Sequence, residues 1–110
     1  MSSEPKNHDR RSIEIGEVRR SAALDQALDA HELFAKGAFP QELSFLIDPK
    51  TLAALEVRVE KVRPSGLCQG YFELVGHLLG RRGEDRYPTE AVRGYYNPGD
   101  SSGVLTTQPT

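Results

Sequence analysis

From Ser21 onward the apolar positions of this chain repeat at helical spacing, with Leu24, Ala27, Leu28, His31, Phe34 and Ala35 recurring at intervals of three and four. The spacing predicts an amphipathic helix N-capped by Ser21 and closed by Gly37. Asp25, Asp29, Glu32 and Lys36 form its solvated face. Past Pro40 the pattern shortens, and Leu43 to Ile47 reads as a buried strand or as the end of a helical turn. Asp48-Pro49 is a helix-start signal, so Lys50 to Leu55 is expected to make a turn or more of helix.

The period then drops to two. Leu55, Val57 and Val59 alternate with Glu56, Arg58 and Glu60, and a strand is favoured over a helix through Val62 because Val57 would leave such a helix's apolar face. Pro64-Ser65-Gly66 supplies a turn. Leu67 to Leu79 fits either period, but Gly70 and Gly76 would each cost about 1 kcal/mol in a helix, which favours a strand. That strand turns Phe72, Leu74 and Leu78 one way and Tyr71, Glu73, Val75 and His77 the other.

Arg81 to Arg86 reads as a charged loop, and Tyr87 to Tyr96 as a strand with Val92 and Tyr96 inward and Ala91, Arg93 and Tyr95 outward. Asn97-Pro98-Gly99-Asp100 then turns the chain into Gly103 to Thr107, closing a hairpin. Ile13 and Ile15 make either a short edge strand or the lead-in to the helix. Together these elements predict one α+β domain over residues 12–107. Its N-terminal helix packs Leu24, Leu28 and Phe34 on a small antiparallel β-meander of three to four strands. Residues 1–11 form a polar, disordered tail, and 108–110 a loose end.

Composition narrows the classes. A chain of 110 residues can bury a core without metal or disulfide support, and its single cysteine, Cys68, excludes an intramolecular disulfide. No stretch approaches the roughly 18 apolar residues of a membrane span, and the N-terminus lacks the apolar core of a signal peptide, so a cytoplasmic protein without membrane contact is expected. The net charge of −2 argues against a non-specific duplex binder. Residues 1–20 carry five basic and four acidic side chains, and residues 21–73 five and eight, which places the acidic excess in the middle.

Candidate chemistry is sparse. Cys68, Glu73 and His77 lie close in sequence, but on a strand the last two stand about 13 Å apart and Cys68 points to the opposite face, which opposes a nucleophile and base pairing. His8, His31 and His77 are scattered, no CxxC, HxxxH or HExxH spacing occurs, and Gly76-x-x-x-Gly80 lacks the Lys-Ser/Thr ending of a phosphate loop. A non-enzyme without metal or cofactor is the expectation.

One cluster stands out. Arg81, Arg82, Arg86, Tyr87, Arg93 and Tyr95 form a candidate binding surface, while Tyr96 belongs to the core. Arginine and tyrosine are favoured anchors of protein interfaces. They also suit stacking and phosphate contact with single-stranded nucleic acid. The expectation is therefore a small protein-interaction module, a regulator, adaptor or inhibitor, acting through a sheet edge or this Arg/Tyr surface. It pairs with another protein or with itself as a homodimer that covers open edges. The alternative is a single-strand nucleic-acid binder using residues 81–96.

Overall fold

A computed structural model of the chain describes residues 11–20 and 29–108. The described elements are β1 (Ser12–Ile15), β2 (Val18–Arg20), α1 (Ala30–Lys36), β3 (Gln41–Asp48), β4 (Ala53–Pro64), β5 (Phe72–Arg82), β6 (Asp85–Asn97) and β7 (Ser102–Thr107). All seven strands join one antiparallel sheet in the order β1-β7-β6-β5-β4-β3-β2. This half-barrel corrects the expected α+β fold with a helix on three or four strands.

Several segments account for the difference. The helical spacing begins at Ser21, but α1 is seven residues long and Asp29 caps it, accepting from the Glu32 backbone N–H at 3.1 Å. Ser21, Leu24 and Leu28 lie outside the described residues, as does the tail through Arg10. Asp48-Pro49 starts a turn instead of a helix. The Asp48 carboxylate accepts from the Lys50 N–H at 2.9 Å, its carbonyl accepts from the Leu52 N–H, and Leu52 takes φ +62° so that Ala53 can pair with Asp48. The same Asx chemistry that caps a helix closes a turn when strands compete for the residues on either side.

Arg81 to Arg86 is not a loop. Both strands run through it, and only Gly83-Glu84 turns, with Gly83 at φ +63° in the glycine-first position of a two-residue hairpin. The strand over Leu55 to Val59 and the outward and inward sides of residues 72–78 and 91–96 stand as the alternation predicts.

β1 and β2 are consecutive in the chain yet occupy opposite edges of the sheet, so residues 12–20 straddle the seam. At the crossing, the Gly16 N–H donates to the Leu46 carbonyl at 2.7 Å and the Leu46 N–H to the Glu17 carbonyl at 2.9 Å. The Tyr96 hydroxyl donates to the Gly16 carbonyl at 2.8 Å. The edges are thus four and three residues long and tied to one another.

The sheet curls around an aromatic core. Phe45 and Tyr96 are fully buried with ring centroids 5.3 Å apart in an edge arrangement, and Phe34 from α1 meets Tyr96 at the same separation. Leu43, Val57, Val59, Val92 and Leu105 complete the interior. Gly76 and Gly94 face inward mid-sheet, where a Cβ would strike the Arg58 and Val104 carbonyl oxygens respectively, so the curl requires glycine there.

Candidate interaction face

The outward side chains divide into two regions. Around the β5–β6 tip two arginines are neutralised: Arg81 makes a bidentate pair with Glu56 at 2.9 and 2.8 Å, and Arg86 reaches both Glu42 and Glu56 at 3.5 Å. Arg58 also pairs with Glu42, at 3.3 Å. The Arg81 guanidinium holds the Glu56 carboxyl below its ordinary value, against the opposing effect of partial burial. The same contact raises Arg81. Tyr87 lies over Gly80, its cross-strand neighbour, whose missing side chain leaves room for the ring. Arg82 is exposed at the tip.

The second region lies farther along β6. Arg93 sits beside Val75 on β5, which sits beside Lys61 on β4, so the three form one row across the sheet. The next row runs Arg63, Glu73, Tyr95, Val104 and Glu14. Arg63 and Glu73 pair at 2.7 Å. Lys61 and Arg93 have no ion-pair or hydrogen-bond partner among the described residues.

Two grooves meet at Tyr95. One, of about 690 Å³, is lined by Lys61, Arg63, Glu73, Val75, Arg93 and Tyr95 among others. The other, of about 600 Å³, is lined by Leu67, Cys68, Tyr71, Tyr95 and Val104, with Glu14 its only charged residue among those described. Tyr95 is 43% exposed and Leu67 87% exposed, large apolar surfaces without cover.

Of the six residues singled out in the sequence, Arg81, Arg86, Arg93 and Tyr95 share the outer face, but only Arg93 and Tyr95 lie close together on it. Arg81 and Arg86 belong to the ion-pair network at the tip, up to about 23 Å of strand from Arg93. Lys61 was missed. Strict alternation from Val57 and Val59 would send it inward, but the strand slips register between Val59 and Lys61, which turns Val62 to the core and Lys61 outward. Only the apolar character of Val62 hinted at this slip.

The residues considered for catalysis are dispersed. Cys68 is exposed in the β4–β5 loop, Glu73 pairs with Arg63, and His77 Nδ1 lies 3.0 Å from Glu60. His31 is exposed and meets the edge of Phe72. Among the described residues no group of three or more His, Cys, Asp or Glu could hold a metal, and no helix is long and apolar enough to cross a membrane. Compared with family models, curated proteins and solved structures, the chain finds no match.

Proposed function

We propose that this chain is a non-enzymatic protein-interaction module, a regulator, adaptor or inhibitor, whose contact surface is the outer sheet face centred on Tyr95. The observation that carries the reading is the exposed Tyr95 ring between two grooves, on a strand paired on both sides by β5 and β7. A large amphipathic ring held on a rigid sheet loses little entropy on binding, which is why tyrosine anchors interfaces. Val75, Val104 and Leu67 surround it with exposed apolar surface, and Arg63, Arg93 and Lys61 supply a charged rim. Short edges tied across the seam leave little strand to template, so the face takes precedence over edge pairing and over an edge-driven homodimer. An unpaired, exposed Cys68 suits a reducing compartment, in keeping with the cytoplasm.

Single-stranded nucleic acid is the second reading, favoured by unneutralised Lys61 and Arg93 beside an exposed aromatic ring. One comparison tests both. Immobilised native protein and Tyr95→Ala are exposed to lysate with and without nuclease, after circular dichroism shows that both are folded. The expected result is one or more proteins held by the native chain, absent from the variant and indifferent to nuclease. An identical captured set on both proteins would overturn the reading, and loss on nuclease treatment would replace it with the second.

A further inference from the structure

We infer that the partner presents a linear segment acidic in one half and apolar in the other, laid across Tyr95 from the first groove to the second. The inference rests on the proposed interaction role and adds the chemistry of the partner.

The two grooves differ in charge. In the first, the Arg63–Glu73 pair cancels, so Lys61 and Arg93 leave an excess of positive charge. Neighbouring strands lie about 4.8 Å apart, so the Cα atoms of Lys61 and Arg93 stand about 10 Å apart astride Val75. Carboxylates four positions apart in an extended chain share a face about 13 Å apart, within reach of the long Lys61 and Arg93 side chains, and the residue midway between them, on the same face, lays an apolar side chain on Val75. The other described arginines of the outer sheet face that have acidic neighbours, Arg58, Arg63, Arg81 and Arg86, are already paired. Lys61 and Arg93 are therefore the cations of this face that an incoming acid can take without breaking a bond.

The second groove inverts the preference. Leu67, Tyr71 and Val104 offer apolar contact, and Glu14 repels anions. Tyr95 lines both grooves and so contacts both halves of the segment. A nucleic-acid strand carries its charge uniformly and would satisfy the first groove while setting phosphates against Glu14 in the second. The asymmetry thus selects a peptide of mixed character over a polyanion.

The test uses fluorescence anisotropy with three labelled probes: a peptide with an acidic half followed by leucines and phenylalanines, an all-acidic peptide of the same length, and an oligothymidylate of matching length. The mixed peptide should bind tightest, with affinity that falls as salt is added. Lys61→Glu with Arg93→Glu should weaken it by about tenfold or more, while Arg82→Glu, an exposed cation outside both grooves, should leave it unchanged. Equal loss in Arg82→Glu, binding of the all-acidic peptide or the oligothymidylate as tight as that of the mixed peptide, or no binding by any probe overturns the inference. Tyr95-dependent capture from lysate alongside failure of the mixed peptide would leave the interaction role standing and remove only this account of the partner.

Discussion

Replacing Tyr96 by phenylalanine should lower stability at neutral pH and raise it, relative to the native chain, in strong alkali. The ring is fully buried between Phe34 and Phe45, and its hydroxyl donates to the Gly16 carbonyl where the chain crosses the seam. Burial pushes the phenol up from 10.0 to about 12. The unfolded chain therefore releases this proton near pH 10 and the folded chain two units later. Between those limits the folded state binds more protons than the unfolded state, so stability falls as pH rises. Below pH 10 the contribution is fully present. By pH 12 it is lost, and two units amount to roughly 3 kcal/mol.

Tyr96→Phe keeps the ring packing and leaves the Gly16 carbonyl without its donor, at a cost of about 1 to 2 kcal/mol. It also removes the alkaline loss. Because the native chain loses about 1.4 kcal/mol per pH unit above pH 10, the two stability curves should cross near pH 11. Urea unfolding of both proteins between pH 7 and about pH 11.5 measures the gap. The difference in phenolate absorbance between them isolates the ionisation of Tyr96. A gap that stays constant through pH 11, or a Tyr96 phenolate that forms near pH 10 in the folded protein, would refute the reasoning.

Gly94→Ala should cost at least about 2 to 3 kcal/mol in urea unfolding, since its Cβ would strike the Val104 carbonyl oxygen and the neighbouring strand would have to move. Glu56→Gln should remove an acid-sensitive part of stability. The Glu56 carboxyl is depressed below 4.5, so its contribution is present above that pH and lost as pH falls through the depressed value. The native and Glu56→Gln unfolding midpoints should therefore converge on acidification below pH 4.5, and a gap that persists would contradict the assignment. Cys68 is exposed in its loop, so a thiol reagent should modify it in the folded protein without prior unfolding. Protection that disappears only in denaturant would place that loop differently.

The strands were legible where one side chain in two is apolar. Val57 with Val59, and Phe72, Leu74, Val92 and Tyr96, all face the interior as their alternation requires. What escaped was the reach and closure of the sheet. Ser12 to Arg20 reads locally as two short polar-apolar pieces, and its pairing partners, Gly103 to Thr106 on one edge and Leu43 to Phe45 on the other, lie far away in sequence. Hydrogen bonds between such distant segments leave no periodic trace. The start of the described helix escaped for the opposite reason: spacing of three and four persists from Leu24 to Ala35, but cap chemistry is local, and Asp29, eight residues after Ser21, caps Ala30–Lys36.

The candidate surface shows the same division between local composition and long-range register. Arginines and tyrosines were visible as a dense cluster, and density suggested one surface. Density does not fix electrostatic availability, because Glu42 and Glu56, donated by strands not adjacent to β6, occupy Arg86, and Glu56 also occupies Arg81. The free positive charge beside Tyr95 comes instead from Arg93 and from Lys61, thirty-two residues away in sequence and two strands away in the sheet. A single slipped residue after Val59 brings Lys61 to that face. Without the slip, Val62 would face solvent and Lys61 the core, so the burial of one valine and the exposure of one lysine are fixed by the same event. Removing it should cost stability and the cationic half of the face together.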